Sequence, residues 1–512
     1  MVHVRDKHWA DEIADEILAT GRGPHEISTG ISPSGEIHIG NLREVITADV
    51  VHQVLKERGI EVTLDYVADN FDPLRKVYPF LDAAVYSSHI GKPLSEIPCP
   101  CGGHSSYAAH FLEPFLSSLE RLRIHVKVYY ADQMYKSGML VPQIVQALRG
   151  RDAIARILHE CTGRKVEPEW SPFNPICGTC GRMTDTLVKG FSEKAATVDY
   201  TCSCGGRGTV SMKGGGKLTW RVDWPARWAR IPVTIEPFGK DHATRGGSYD
   251  TGALICREVF KAPPPFPVTY EWISFKGMGD MKKSKGNVLS VHRMLEVLPP
   301  EVLRYLIVKT QPMRAISFDP GLPLLSLMDE FDDAASQSRD PRALKLAGAD
   351  QFTPIGVPFR HLVNVVQMAD FDLEQVIVIL RRNKYPVPDP AAVKERAGYA
   401  IRWLREFAPD DLKFSVQRAL PPAARALDAA QRAFLSRLAG SLRPGMSGEE
   451  IHALIYEIAK QVGMEKTTAA FEAIYQAFLG QPKGPRAGWF LAFLEHDFVV
   501  ERLREAGKAA AA

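Results

Sequence analysis

The sequence predicts an α/β fold with a parallel sheet, which a cysteine-bearing insertion interrupts and a largely helical C-terminal region follows. Three observations support this prediction: a strand–helix–strand pattern near the N-terminus, two close cysteine pairs further along, and helix-capping signals late in the chain. The 512 residues suffice for several domains, and a content of 45% apolar and 24% charged residues is ordinary for a globular protein.

The strand–helix–strand pattern begins at residue 25. Residues 25–32 alternate weakly apolar side chains and predict a strand, which Pro33-Ser34-Gly35 ends. Apolar residues then recur at helical spacing as far as Gly59, and residues 61–67 predict the next strand. This pattern is typical of the β-α-β unit of Rossmann nucleotide-binding domains.

The start of the predicted helix carries His38, Gly40 and Asn41. A helix N-terminus offers unpaired N–H groups and the positive end of the helix dipole, so it favours an anion. Gly40 lets a nucleotide approach the backbone closely, and His38 and Asn41 add side-chain donors. The segment therefore fits a triphosphate, although a His-x-Gly-Asn sequence by itself is equally compatible with a surface turn.

A second segment, residues 281–287, contains Lys282, Lys283 and Lys285 and has glycines around it. This composition predicts a mobile, cationic loop that can follow the charge that develops on departing pyrophosphate. Taken alone, it is more simply a solvated basic loop. Together, the two segments predict an enzyme that activates a carboxylate with ATP.

These two segments resemble the signature motifs of class I aminoacyl-tRNA synthetases. His38-Ile39-Gly40-Asn41 resembles HIGH, and Met281-Lys282-Lys283-Ser284 resembles KMSKS, in the family's order and on the two halves of a Rossmann fold. Longer stretches resemble class I lysyl-tRNA synthetase, and the resemblance runs nearly end to end. These stretches are residues 29–45, 220–228, 236–242, 246–252 and 484–488.

The resemblance implies a two-step reaction whose partners are ATP with Mg²⁺, L-lysine and tRNA(Lys). The lysine carboxylate attacks the α-phosphate of ATP to give lysyl-adenylate, and a terminal ribose hydroxyl of the tRNA then takes the aminoacyl group. The resemblance assigns catalysis to His38, Asn41 and Lys283. The ATP-binding residues that it implies are Pro33, Ser34, His38, Gly40, Asn41, Met281 and Lys283.

The second motif departs from Lys-Met-Ser-Lys-Ser at two positions. Asp280 replaces the first lysine and Lys282 the first serine, whereas Lys283 keeps the second-lysine position. We therefore assign pyrophosphate stabilisation to Lys283. The departure keeps open a non-catalytic tRNA-binding relative, beside a class I synthetase for another amino acid such as glutamate or cysteine. A carboxylate–amine ligase of the same nucleotidyltransferase fold would not need the long helical C-terminal region.

A pocket for lysine needs an anion for the ammonium group and flat apolar walls for the methylenes. Trp220 and Tyr270 are candidate walls, with a cation–π contribution of about 0.5–2 kcal/mol. Trp224 and Trp228 follow Trp220 at helical spacing and are predicted to pack in the core. The other residues predicted to face lysine are Gly30 and Ser32 by resemblance, His242 for the amino or carboxylate end, and the unranked acids Asp223, Glu236 and Asp241.

Four of the eight cysteines, Cys177, Cys180, Cys202 and Cys204, form two close pairs separated by a loop. Four thiolates around a d¹⁰ ion make a closed tetrahedral site, so the pattern predicts a structural zinc knuckle rather than reduced cysteines that merely pack. Cys99, Cys101 and His104 resemble half of another site, but the sequence shows no convincing remaining ligands, and we predict no metal there. Cys161 and Cys256 are predicted to be small buried hydrophobic residues.

The motifs suggest an order of regions along the chain. In the synthetase family, such an insertion caps the acceptor end of tRNA, and a helical C-terminal domain binds the anticodon. The predicted regions are residues 1–95 and 218–287 for the two Rossmann halves, 96–217 for the insertion, 288–320 for a stem-contact region and 321–512 for a helical anticodon-binding domain.

The C-terminal region carries both helix signals and basic side chains. Ser447 and Glu450 form a capping-box pattern, and Gly463 and Gly480 supply helix stops. Basic residues beside aromatic ones fit phosphates and unpaired bases, although exposed arginine and lysine are also ordinary on helices. The predicted tRNA-binding residues are Arg381, Arg382, Lys384, Arg402, Arg405, Lys483 and Arg486.

The overall charge and the apolar runs limit the remaining possibilities. The formal net charge is only +3, so a nucleic-acid surface must be a local patch. The first residues lack the apolar core of a signal peptide, and no apolar run reaches the length of about 18 residues that spans a membrane. We expect a cytoplasmic protein.

Overall fold

The computed structural model describes residues 7–163, 165–276, 279–280 and 288–508. The predicted cationic loop at residues 281–287, with Met281 and Lys283, lies outside these ranges. The chain divides into two compact units. The first comprises Met1–Leu295, Pro300–Phe318 and Asp340–Asp350, and the second comprises Glu296–Pro299, Asp319–Arg339 and Gln351–Ala512.

Strands and helices are numbered in chain order. The strands are β1 (His25–Ile31), β2 (Val62–Ala68), β3 (Lys127–Tyr130), β4 (Phe173–Pro175), β5 (Thr186–Ser192), β6 (Thr197–Cys202), β7 (Arg207–Ser211), β8 (Gly216–Leu218), β9 (Ile235–Gly239), β10 (Phe266–Tyr270), β11 (Ile273–Phe275), β12 (Gly279–Asp280) and β13 (Ile316–Phe318).

The helices share the same numbering scheme, and none of those described combines the length and apolarity that crossing a membrane requires. They are α1 (Trp9–Ala19), α2 (Ile39–Glu57), α3 (Ala83–Tyr86), α4 (Tyr107–Arg121), α5 (Ala131–Lys136), α6 (Val141–Arg149), α7 (Arg151–Thr162), α8 (Trp220–Arg230), α9 (Ser248–Glu258), α10 (Val291–Val297), α11 (Pro300–Val308), α12 (Leu322–Ser336), α13 (Pro341–Leu346), α14 (Phe359–Met368), α15 (Leu373–Arg382), α16 (Pro390–Glu406), α17 (Ala429–Ser441), α18 (Gly448–Gln461), α19 (Thr467–Leu479), α20 (Ala487–Phe493) and α21 (His496–Lys508).

A five-stranded parallel sheet forms the centre of the first unit, in the spatial order β10-β9-β1-β2-β3. The β1-α2-β2 unit confirms the sequence prediction, because each boundary lies within two residues of the expected one. Helix α2 packs against β1, β2 and β9. Its Val45, Val50 and Val54 side chains are fully buried, so apolar burial fixes the helix on the sheet.

The order of the strands reverses between β1 and β9. From β1 the chain moves outward through β2 to β3, and it later returns to the other side of β1 as β9 and β10. In parallel α/β sheets such a reversal leaves a crevice beyond the carboxyl ends of the strands, and ligands bind there. The topology therefore predicts a site where β1 and β9 end.

The sheet extends further along the chain than the predicted boundary of the first Rossmann half. Strand β3 (Lys127–Tyr130) falls inside the region predicted as insertion, yet it pairs in parallel with β2. Four residues with one exposed and three half-buried side chains give no clear strand pattern, which is why the sequence did not reveal it.

The cysteine-bearing insertion forms separate small sheets. Strands β5, β6 and β7 form an antiparallel sheet, and β4 pairs with β8. Cys177 and Cys180 follow β4, whereas Cys202 ends β6 and Cys204 lies in the turn after it. The antiparallel sheet therefore brings the second cysteine pair close to the first.

The regular elements described in the second unit are helical. The predicted capping box is confirmed, since the Glu450 amide donates to Ser447 Oγ at 3.2 Å and the Ser447 amide donates to Glu450 Oε2 at 2.6 Å. Gly463 and Gly480 have φ angles of 73° and 71°, in the left-handed region where glycine ends helices at little cost. Both predicted stops are confirmed.

Candidate active site

A cavity of about 410 Å³ lies at the carboxyl ends of β1, β9 and β10, where the strand order reverses. It brings together nine of the residues that the sequence assigned to ATP or lysine. These are Gly30, Ser32, Ser34, His38, Gly40, Asn41, Asp241, His242 and Tyr270. Ile31, Glu44, Gly239, Trp272 and Ile273 complete its wall.

The N-terminus of α2 opens into this cavity. His38 is the N-cap residue, and its backbone amide donates to Asn41 Oδ1 at 3.3 Å. His38 also forms an isolated antiparallel bridge with Ser290, and the Ile39 amide donates to the Leu289 carbonyl at 3.3 Å. The positive end of the helix dipole therefore faces a concave surface, which suits an anionic ligand.

Arg43 holds the N-terminal part of α2 in place. The side chain is 1% exposed, and its guanidinium donates to the carbonyls of Pro312 and Arg314 at 2.9 and 2.8 Å. Burial lowers the pKa of Arg43 to about 10, so the side chain remains charged at neutral pH. The first turns of α2 are thereby tied to the segment that precedes β13.

Glu44 is a site residue that the sequence analysis missed. Its Oε1 accepts from the Gly30 amide at 2.9 Å, and its Oε2 accepts from the Tyr270 hydroxyl at 2.9 Å. Burial raises its pKa to about 7, although both hydrogen bonds oppose the shift. The signal was available, because Glu44 and Asp49 are the two acids that interrupt the apolar run of α2.

A second, smaller cavity of about 40 Å³ shares Gly30, Glu44 and His242 with the first. Its walls include Trp220, Trp224, Trp228 and Glu236. The Trp220 and Trp224 rings stack with centroids 5.3 Å apart, and Trp224 Nε1 donates to Glu236 at 2.7 Å. Trp224 and Trp228 are buried, as predicted, while Trp220 remains half-buried at the cavity.

Two of the predicted acids differ sharply in their surroundings. Glu236 is 4% exposed, and burial raises its pKa well above the ordinary value. Asp241 is exposed, with a carboxylate oxygen 3.7 Å from His242 Nε2. Burial lowers the pKa of His242, so its imidazole is neutral at neutral pH.

The third predicted acid, Asp223, lies in a buried charge network outside both cavity walls. Its carboxylate is 3.0 Å from Lys217 Nζ and 3.5 Å from the Arg227 guanidinium. The same two cations hold Asp69 and Asp72, at 2.9 Å from Arg227 and 2.6 Å from Lys217 respectively. Because Asp72 also accepts a hydrogen bond from Ser32, this network supports the cavity floor.

The four cysteines of the predicted knuckle converge. Cys177 Sγ is 3.7 Å from Cys204 Sγ, Cys180 Sγ is 3.7 Å from Cys202 Sγ, and the four atoms all lie within 4.8 Å of one another. A side chain at Gly206 would place Cβ 2.8 Å from Cys177 Sγ, so glycine leaves the space that the cluster fills. The arrangement fits a four-thiolate metal site.

The other cysteine motif is more complete than the sequence indicated. His110, from the first turns of α4, joins Cys99, Cys101 and His104, and the four ligand atoms lie within 4.8 Å of one another. The expectation that no remaining ligand exists was therefore wrong. Of the two cysteines predicted to be buried, Cys256 is buried and Cys161 is half-buried.

The residues predicted to bind tRNA differ in how far their side chains are exposed in the second unit. Those with exposed side chains are Arg381, Arg382, Lys384, Arg405, Lys483 and Arg486. Arg402 is half-buried and donates to the Glu296 carbonyl. Trp403, which follows Arg402 along the chain, is fully buried and donates to the Pro320 carbonyl at 2.8 Å, so it cannot stack on RNA.

Comparison with known proteins gives matches over the whole chain. The model of the family described as tRNA synthetases class I (K) matches residues 7–349. A lysine–tRNA ligase of Methanosarcina barkeri is 50% identical, over 98% of this chain and 97% of that protein. Lysine–tRNA ligases of Archaeoglobus fulgidus and Thermoplasma acidophilum are 48% and 40% identical, over 98% and 97% of this chain and 100% and 98% of theirs.

Proposed function

The chain belongs to the class I tRNA synthetases of the group labelled K, and from this premise we propose that it attaches L-lysine to tRNA(Lys). It is an aminoacyl-tRNA ligase, and relatives named lysine–tRNA ligase match it over nearly its full length. The reaction uses ATP and passes through lysyl-adenylate, with release of pyrophosphate and then AMP. The named relatives do not favour a synthetase for another amino acid or a non-catalytic protein.

The observation that carries the proposal is the cavity at the strand reversal, because it offers two chemically different ends. At one end lies the N-terminus of α2 with His38, Gly40 and Asn41, and at the other lies a carboxylate held between Gly30 and Tyr270. The first end suits phosphates and the second suits an ammonium group. ATP and lysine need these two environments side by side.

We assign the ATP side to the turn before α2 and to the helix start. Pro33 and Ser34 shape the turn, Gly40 admits the nucleotide, and His38 and Asn41 face the phosphates. Met281 and Lys283 complete the assignment, with Lys283 stabilising the departing pyrophosphate. We expect Mg²⁺ to bind as a complex with the phosphates of ATP, and we assign it no protein ligand. Positioning and charge stabilisation supply most of the rate in such a reaction.

On the lysine side, we assign the ammonium partner to Glu44 with Tyr270. Glu44 lies in the walls of both cavities, and its pKa of about 7 leaves it readily ionised at neutral pH. Asp223 is already paired with Lys217 and Arg227, and Glu236 already accepts from Trp224 Nε1 while burial raises its pKa well above the ordinary value. An ammonium group would favour the ionised form of Glu44 further.

The remaining lysine contacts follow from the shape of the cavities. Trp220 offers a flat wall for the methylenes, and the neutral His242 lies between Trp220 and Asp241, where it can orient the amino or carboxylate end. Ser32, held by Asp72, and Gly30 line the floor. Such fixed polar contacts position the carboxylate for attack on the α-phosphate.

For tRNA, we propose that the insertion faces the acceptor end, residues 288–320 contact the stem and the helical second unit binds the anticodon. Six exposed basic side chains support the last assignment. A cavity of about 480 Å³ in the second unit, lined among others by Arg360, Asn364 and Trp489, is a candidate site for an unpaired base. The Arg486 guanidinium lies 5.3 Å from the Trp489 ring at this cavity.

We also propose that Cys177, Cys180, Cys202 and Cys204 hold a structural Zn²⁺. The sulfur–sulfur distances of 3.7 Å support this assignment, because tetrahedral zinc–thiolate bonds of about 2.3 Å imply separations of about 3.8 Å. A bound ion would fix β6 and the turn after it to the segment that follows β4.

Exchange of labelled pyrophosphate into ATP tests the function directly. It would be measured with each of the amino acids in turn, with and without tRNA. We expect exchange with lysine alone, loss in Lys283→Ala, and retention in Lys276→Ala, which removes an exposed lysine nearby. Exchange with a different amino acid, or no exchange under every condition, would contradict the proposal.

A further inference from the structure

We propose that Phe80, stacked on Tyr78, forms a platform for an unpaired base at the 3′ end of tRNA, an inference that rests on the proposed function. Phe80 lies between β2 and α3, in a segment for which the sequence predicted no contact with tRNA. It is 43% exposed, although phenylalanine is usually buried in a globular protein. The exposed ring belongs to a group of side chains that together suit a nucleotide.

The platform is a preformed stack of rings. The Tyr78 and Phe80 rings are parallel to within 2°, with centroids 5.5 Å apart, and the Phe111 ring meets Phe80 edge-on at 5.6 Å. Tyr78 and Phe111 are buried, so these two inner rings fix the outer one. A base that stacks on a fixed ring does not have to order a new side chain, which favours binding.

Two cations lie beside this stack. Arg75 and Lys76 are exposed, and Lys76 Nζ lies 5.7 Å from the centroid of the Tyr78 ring. In the part of the chain that the structure describes, neither side chain forms an ion pair, so both are available to phosphates. An aromatic ring for the base and cations for the backbone are the two components of single-strand binding sites.

Contacts through α4 connect the platform to the ATP cavity. Phe111 contacts Tyr107, one turn earlier on α4, with ring centroids 5.0 Å apart. The Tyr107 hydroxyl donates at 2.8 Å to the carbonyl of Ser34, which lines the cavity. The terminal ribose must enter the cavity to take the aminoacyl group, so the nucleotides before it must pass over the neighbouring surface. The platform therefore suits a base that precedes the terminal one.

The small size of the exposed patch favours a nucleotide over a protein partner. Within the described residues 71–111, the large apolar side chains that are exposed are those of Phe80 and Val85. A stable protein interface buries about 800 Å² on each partner around an apolar core. One stacked ring with adjacent cations instead suits a single base and its phosphates.

Binding of two RNAs to the purified full-length protein tests the platform. One is tRNA(Lys), and the other is the same tRNA without its unpaired 3′ nucleotides. Phe80→Ala should weaken binding of the complete tRNA by about fivefold or more and leave that of the truncated tRNA unchanged, because only the complete tRNA can stack on the ring. Phe80→Trp should keep the wild-type affinities. A loss that is equal for both RNAs, or no loss, would overturn the proposal.

A matched control is Tyr456→Ala, which removes a 49% exposed aromatic side chain from α18 in the second unit. This variant should leave the ratio of the two affinities unchanged. Sedimentation analysis tests the alternative occupant, a second copy of the chain. If the wild type self-associates and Phe80→Ala does not, the patch is an interface between copies and the proposal is wrong.

Aminoacylation kinetics give a second readout. The Michaelis constant for tRNA(Lys) should rise several-fold in Phe80→Ala, whereas those for ATP and lysine should stay within about twofold, because the ring lies outside the cavity walls. Equal increases for all three substrates would show that Phe80 supports the fold rather than the RNA. A wild type that neither binds nor aminoacylates tRNA would contradict the proposed function as well, whereas tRNA binding that Phe80→Ala leaves unchanged would overturn the platform alone.

Discussion

At the scale of single residues, amino-acid specificity depends on which carboxylate meets the substrate ammonium. We propose that the surroundings of each candidate acid, rather than its position in the sequence, decide this. Asp223 is paired with Lys217 and Arg227, Glu236 accepts from Trp224 Nε1 while burial raises its pKa, and Glu44 is held between the Gly30 amide and the Tyr270 hydroxyl with a pKa of about 7.

The pKa of Glu44 gives a pH prediction. Because burial raises it above the ordinary value, the carboxylate is ionised above about pH 7 and protonated below. The Michaelis constant for lysine should therefore rise about tenfold between pH 8 and pH 6, whereas that for ATP should change less. In Glu44→Gln this pH dependence should vanish; if it persists there, a different group controls lysine binding.

Trp220 gives a second residue-scale prediction. Its ring lies at the smaller cavity and stacks on Trp224, so it is placed to cover the lysine methylenes. Trp220→Ala should raise the Michaelis constant for lysine much more than that for ATP. Steady-state kinetics with each substrate varied in turn would show this, and equal changes would count against the assignment.

At the scale of elements, the local patterns predicted some parts well and others poorly. The β1-α2-β2 unit and the capping box at Ser447 were predictable, because they depend on spacing and caps within one short segment. Strand β3 was missed because none of its four residues is buried, so it shows no apolar pattern. The convergence of His110 with Cys99, Cys101 and His104 was missed because His110 looks like an ordinary residue of an amphipathic helix.

The link between β8 and the parallel sheet gives an element-scale prediction. Lys217 on β8 is 2% exposed and pairs with Asp72 and Asp223. Lys217→Met leaves Asp72 without its cation and Asp223 with Arg227 alone, and removing one partner of a buried ion pair costs about 3–5 kcal/mol. Calorimetry should show a clearly lower melting temperature than in Lys213→Met, whose lysine is exposed. Equal melting temperatures would mean that the network contributes little.

At the scale of the whole molecule, the end-to-end resemblance and the family match agree on one enzyme with two compact units. The net charge of +3 means that tRNA must be bound by local basic patches rather than by a general field. The sequence predicted nine of the residues that line the cavity but not Glu44, whose contact with Tyr270 joins α2 to β10 only in the folded chain.

The basic patches predict a salt dependence. The affinity for tRNA(Lys) should fall steeply with salt, and Arg381→Ala with Lys384→Ala should reduce the slope by about 0.7–0.9 for each phosphate that these side chains neutralise. The control Lys508→Ala removes an exposed lysine at the end of α21 and should leave the slope unchanged. Equal slopes in all variants would place the phosphate-binding side chains elsewhere.

The decisive measurement for lysine recognition is the lysine dependence of pyrophosphate exchange in Glu44→Gln beside Glu236→Gln. We expect Glu44→Gln to raise the Michaelis constant for lysine at least tenfold at pH 8, while that for ATP stays within a few-fold. Glu236→Gln should change lysine binding far less, because that carboxyl group already accepts from Trp224 Nε1 and does not line the larger cavity. A large loss in Glu236→Gln with little change in Glu44→Gln would contradict the assignment of Glu44 as the ammonium partner.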